Sequence, residues 1–147
     1  MTRLRVILEN RELRPALNDV LITNRNPAST SRYLFSLGDI TEEHRSSGIW
    51  VSTAAGSTAA ISGAGGVNLP LDSTSYQFVI REPYEYRDIQ LRLKKKILEA
   101  DHVIQVVSKM RRGSVYIDGS GYRYAFRFGQ RLVIDAKAPT LHVFGLQ

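Results

Sequence analysis

Residues 52–66 read STAAGSTAAISGAGG, a run of small types suited to bringing a flat or anionic ligand against bare backbone. The run leaves a strand over 48–52 and turns at Gly56. Its alanines predict a helix over 57–64, capped by Ser57 or Thr58 and ended by Gly65-Gly66. Unpaired N–H groups at such a helix start attract anions. The bare positions Gly56, Ala59 and Ala60 let a ligand come close. The same residues equally describe a small-residue helix packed tightly on a sheet, and no Gly-Lys-Ser/Thr follows as a Walker loop requires. Leu17-Asn18-Asp19 lies between apolar runs. Its carboxamide and carboxylate can hold sugar hydroxyls or an amide, or can form an Asx turn into the next strand. Asp118-Gly119 reads first as a hairpin turn. The stretch 87–112 sets Arg87, Arg92, Lys94, Lys95, Lys96, Lys109, Arg111 and Arg112 against Asp88, Glu99 and Asp101. It can face nucleic acid, a polyphosphate or plain solvent. No Ser-His-Asp arrangement can be assembled, and the histidines at 44, 102 and 142 are too scattered for a metal site.

The elements that must position these residues are mostly strands. Leu4, Val6 and Leu8 alternate with polar neighbours, a turn at Asn10-Arg11 follows, and 12–15 returns as a short strand. Residues 20–22 and 31–37 predict strands, the second through Tyr33 and Phe35, and 38–44 reads as a polar turn region. Residues 48–52 read as a buried strand. Further strands are predicted over 77–80, closed by Pro83, and over 102–107, 132–134 and 141–144. Residues 114–117 and 122–128 flank the turn at 118–121, with Tyr122, Tyr124, Phe126 and Phe128 on one face and Arg123 and Arg127 on the other. Many short strands with regular turns imply a mainly β, antiparallel sandwich carrying one short helix.

The chain has 147 residues, the size of one domain with a substantial core. Hydrophobic residues at 43% and charged residues at 23% exclude a disordered chain. The absence of cysteine excludes disulfides, thiolate zinc sites, iron–sulfur clusters and cysteine nucleophiles, and fits a cytoplasmic setting. No apolar run is long enough for a membrane span, and Arg3 and Arg5 interrupt the first apolar stretch, against a secretory signal. A formal net charge of +6 favours anionic partners. A strand starting at Met1 without lead-in predicts that the chain begins inside something larger.

Ala16-Leu17-Asn18-Asp19-Val20, then Ser47-Gly48-Ile49-Trp50-Val51-Ser52-Thr53-Ala54-Ala55-Gly56-Ser57-Thr58-Ala59, then Asp118-Gly119, resemble the C-terminal part of NAD kinases. That family carries an ALNE-type motif, a DGLxxSTPTGSTAY-type motif and a DGQ-type turn in this order and at similar distances. The likeness runs over 3–146. It implies transfer of a phosphoryl group from ATP or polyphosphate, with Mg²⁺ or another divalent cation, to the ribose 2′-hydroxyl of NAD, giving NADP. It implies an N-terminal α/β domain whose GGDG motif supplies the catalytic base, a C-terminal β-rich domain that binds NAD, and pairing of subunits into dimers or tetramers. Carried over by position, Asn18 and Asp19 match the Asn-Glu pair that contacts NAD. Thr58 and Ala59 match the nicotinamide and ribose pocket, Ala55, Gly56 and Ser57 match the turn, and Asp118 matches the later turn. The departures are specific. No GGDG motif occurs, Ser47 replaces an acidic residue, Ala60 replaces a tyrosine, and Ser120 replaces a glutamine. The expectation is therefore one NAD-binding domain over 1–147, with no catalytic residue of its own, inactive alone, lacking its N-terminal domain, cytoplasmic, and without membrane or nucleic acid as partner. Two alternatives stand beside it. One is a domain of a related diacylglycerol- or sphingosine-type lipid kinase, against which the Asn18-Asp19 pair argues. The other is a basic, non-enzymatic β-domain that stacks nucleotides or nucleic acid on 122–127.

Overall fold

In the computed structural model, which describes residues 1–86 and 88–142, two six-stranded antiparallel sheets face each other. The strands are β1 (Arg5–Leu8), β2 (Arg11–Glu12), β3 (Asp19–Asn24), β4 (Ser31–Leu37), β5 (Ile40–Ser46), β6 (Gly48–Ser52), β7 (Tyr76–Arg81), β8 (Lys95–Leu98), β9 (Ile104–Ser108), β10 (Gly113–Ile117), β11 (Arg123–Phe126) and β12 (Arg131–Asp135). The first sheet has the order β2-β1-β12-β9-β4-β5 and the second β11-β10-β3-β6-β7-β8. Strict alternation explains the pairing. Val20, Ile22, Ile49, Val51, Phe78, Ile80, Val115 and Ile117 of the second sheet turn inward to meet Val6, Tyr33, Phe35, Ile104, Val106, Leu132 and Ile134 of the first. Phe35 and Phe78 join the layers with ring centroids 4.7 Å apart. The mainly β sandwich expected from the sequence is the observed architecture.

Three local expectations are corrected. The polar segment 38–44 is not a turn region, because most of it lies in β5, where Glu42, His44 and Ser46 point inward. The His44 ring is fully buried, stacks on Phe35 and bonds Glu42 at 3.0 Å and the Tyr33 hydroxyl at 3.3 Å. A strand whose inward positions are polar but mutually bonded shows no apolar alternation. Burial pushes the His44 pKa down, only partly offset by Glu42. The return strand begins one residue early and is short, Arg11–Glu12, followed by an isolated bridge between Leu4 and Ala16. The helix over 57–64 shrinks to one turn, α1 (Ala60–Gly63), whose N-cap is Ala59, with no side-chain cap bond. Of the strand expected over 141–144, Leu141 and His142 are irregular, and the remainder lies outside the described residues, as does Arg87 of the basic stretch.

The chain changes sheets between β5 and β6, so Ser47 forms a corner. Gly48 follows at φ +122°, and a Cβ there would stand 2.6 Å from the Ile22 carbonyl oxygen. No other residue type fits that crossing without displacing β3.

Candidate functional site

Segments a hundred residues apart converge at one end of β3 and β6. The Asp118 carboxylate accepts backbone N–H groups from Leu17 at 3.0 Å, Asn18 at 2.7 Å and Asp19 at 3.2 Å. Its own N–H donates to the Asp19 carbonyl at 2.9 Å. Asp118 sits at φ +54°, a left-handed conformation that aspartate tolerates better than most residues. From the other side, the Thr53 hydroxyl lies 2.6 Å from the Leu17 carbonyl and 3.2 Å from that of Asn18, and the Thr53 N–H donates to Asn18 at 3.0 Å. Gly56 completes the contact. A Cβ there would lie 2.1 Å from the Asn18 oxygen, so this position requires glycine for close approach.

Ser57 is fully buried, and its hydroxyl donates to the Ala54 carbonyl at 2.7 Å and accepts the Leu69 N–H at 2.9 Å. Gln77 holds the same loop by a reciprocal pair with the Val67 N–H and carbonyl, at 2.9 and 2.6 Å. Thr58, Ala59 and Ala60 stand exposed on the rim. The helix start expected here is reduced to a single turn. The amides of Ser57, Ala59 and Ser62 are bonded within the turn, and a single turn has negligible dipole.

Beside this clasp, the outward face of the second sheet carries a cleft of about 450 Å³. Leu21, Trp50 and Tyr116 form its floor, Asp19, Gly119 and Ser120 one end, and Arg25 and Arg81 the other. Burial, and secondarily the charge of Asp118, raise the Asp19 carboxyl above its ordinary range. The Arg81 guanidinium lies 5.9 Å from the Trp50 ring centroid, and the two border a second cleft with Ala60 and Gly63. Ser47 is elsewhere. It lies at the far end of β6, roughly 20 Å from Thr53 at ~3.3 Å per strand residue, in a cleft of about 420 Å³ with Arg32, Arg45, Tyr84 and Tyr86.

The structure thus brings together Asn18, Asp19, Ala55, Gly56, Ser57 and Asp118, leaves Thr58, Ala59 and Ala60 on the adjoining rim, and separates Ser47. Sequence reasoning missed Trp50, Arg81 and Tyr116. The outward positions of alternating strands carried that signal, which reading 48–52 as wholly buried concealed. Chemically, the arrangement offers acceptors, an amide and a stacking floor. Among the described residues no group of three or more His, Asp and Glu stands ready for a metal ion, and Asp118 is occupied with amides. These residues do not fit a divalent cation. Among the described residues no helix is long and apolar enough to cross a membrane.

No protein-family model matches the chain. A protein of Oryza sativa subsp. japonica named "Probable NADH kinase" is 40% identical over 134 residues, covering 87% of this chain and 41% of the relative. An NADH kinase of Arabidopsis thaliana is 37% identical over 100 residues, covering 68% of this chain and 31% of the relative. The chain therefore spans less than half the length of these relatives. The crystal structure of yeast NADH kinase complexed with NADH shares the fold, with a TM-score of 0.76 at 20% identity over 98% of this chain and 42% of that one. These relatives do not favour the lipid-kinase or nucleic-acid readings.

Proposed function

The chain belongs to the NAD kinase family, and we propose that it is the C-terminal, dinucleotide-binding domain of a kinase that phosphorylates NAD or NADH to the corresponding 2′-phosphate. The observation that carries this reading is the clasp. Three segments, each matched to a family motif, meet around Asn18 although Asp118 is 100 residues distant. In this reading the Asn18 carboxamide and the Asp19 carboxylate hold ribose hydroxyls or the nicotinamide amide, and Thr58 and Ala59 line the pocket. Ala60, in place of a tyrosine, leaves that rim open. Trp50 and Tyr116 offer flat surfaces to a base.

Positioning is this domain's share of phosphoryl transfer. The catalytic base, the divalent cation and the phosphoryl donor, ATP or polyphosphate, are assigned to an N-terminal domain outside this chain. Ser47 stands behind the arginine end of the cleft, its carbonyl accepting the Arg81 Nη1 at 3.3 Å, and the working unit is a homo-oligomer in the cytoplasm. The protein's only tryptophan, Trp50, makes the test direct. NADH added to the chain is expected to quench Trp50 emission saturably, with no NADPH formed when ATP and Mg²⁺ are present. Absence of saturable quenching, confirmed by calorimetry, overturns the reading. NADPH formation overturns the assignment of catalysis to another domain.

A further inference from the structure

We infer that Asp118 is a positioning residue of the nucleotide site and not a ligand of the nucleotide, its carboxylate fixing the turn from which Asn18 presents its carboxamide. The inference rests on the nucleotide-binding reading above. Both Asp118 oxygens are spent on protein: Oδ1 accepts the amides of Asn18 and Asp19, and Oδ2 accepts that of Leu17. A carboxylate so occupied has little left for a ribose hydroxyl. The carbonyls of the same turn are spent on the opposite side. Those of Leu17 and Asn18 both face the Thr53 hydroxyl, and Asn18 also accepts the Thr53 N–H. Gly56 lies against that same carbonyl, where no side chain can intervene. The backbone at 17–19 is therefore saturated from both sides. By contrast, among the described residues the Asn18 carboxamide makes no hydrogen bond and is half-exposed. A fixed backbone under an uncommitted polar head is what fixed recognition of a ligand requires, because the ordering cost is met before the ligand arrives.

Asp118 also acts on Asp19 through space, since its charge is one of the two causes that raise the Asp19 carboxyl. Removing that charge has a signature that loss of packing alone would not produce.

The test uses this chain, Trp50 quenching by NADH, and nuclear magnetic resonance of Asp118→Asn and Thr53→Val. Asp118→Asn turns an acceptor oxygen into a donor facing backbone N–H groups. It is expected to weaken NADH binding about tenfold or more, the scale of a lost charge-assisted bond. It should also shift the amide signals of Leu17, Asn18 and Asp19 and lower the Asp19 titration midpoint. Thr53→Val removes the hydroxyl that faces the Leu17 and Asn18 carbonyls and accepts the Gly56 N–H, leaves the Asp118 bonds in place, and is expected to weaken NADH binding several-fold. Unchanged affinity in Asp118→Asn overturns the inference, as does weakened binding with the 17–19 amides unmoved, which would make Asp118 a direct ligand. Should Asp118→Asn not fold, Thr53→Val decides, and unchanged affinity there overturns the inference. If the unsubstituted chain fails to bind NADH, the nucleotide reading itself fails and takes this role with it.

Discussion

The two ends of β6 are built on different principles. At the Ser52 end, Asp118, Thr53 and Ser57 saturate backbone amides and carbonyls, and Gly56 touches the Asn18 carbonyl. At the Ser47 end two backbone bonds, from the Ser47 N–H to the Arg81 carbonyl and from the Tyr84 N–H to the Arg45 carbonyl, both 2.8 Å, hold the corner, and the surface beside it is made of exposed side-chain contacts. The Arg45 Nη1 donates to the Tyr86 hydroxyl at 2.6 Å, Tyr84 and Tyr86 meet edge to face at 4.7 Å, and both tyrosines are exposed. Backbone-held geometry resists displacement, whereas exposed side-chain contacts exchange with water and can rearrange around a partner. The first end is suited to holding a small polar ligand in one pose, and the second to adapting.

The sharpest way to break this contrast is Gly56→Val, which forces β-branched bulk into the Asn18 carbonyl. We expect a loss of about 3 kcal/mol or more, read from urea unfolding. A loss below about 1 kcal/mol would mean that the clasp is soft. Ser57→Ala comes next. It removes the acceptor of the part-buried Leu69 amide and the bond to the Ala54 carbonyl, and we expect a loss of about 1–2 kcal/mol in the same measurement. At the opposite end, Tyr86→Phe removes an exposed hydrogen bond and is expected to cost less than about 0.5 kcal/mol. A cost equal to that of Ser57→Ala would abolish the distinction.

The smallest effect concerns charge. The Asp19 carboxyl is raised above its ordinary 3.8, first by burial and then by Asp118. The folded chain therefore holds that proton more tightly than the unfolded one. Its stabilising contribution is complete below pH 3.8 and is lost as pH rises through the folded value. At neutral pH the ionised group is a cost, so Asp19→Asn is expected to raise Tm slightly at pH 7 and to lose that advantage in acid, while weakening NADH binding. A lower Tm at pH 7 would show that the carboxylate is held by the fold and not reserved for a ligand.

Much of this protein is legible along the chain. Alternation over 31–37 and the apolar runs at 20–22 and 132–134 mark strands, because an extended backbone places successive side chains on opposite faces. Motif order placed Asn18, Gly56 and Asp118 in one expected site. Other features were hidden because they depend on partners distant in sequence. β5 is a strand only because His44, Glu42 and Tyr33 satisfy one another inside the sandwich. The 57–64 helix yields to one turn because the Ser57 hydroxyl binds Ala54 and Leu69 in place of capping it.

The β class, the basic surface and the family motifs follow from the chain alone, because all of them reside in residue type and local periodicity. Tertiary structure decided what those motifs do. It turned Asp118 inward onto three amides, left the Asn18 carboxamide without a hydrogen-bond partner among the described residues and sent Ser47 to the opposite end of β6. Those assignments depend on which atoms meet across long loops, and hydrogen-bond saturation is a property of that meeting, not of any residue alone.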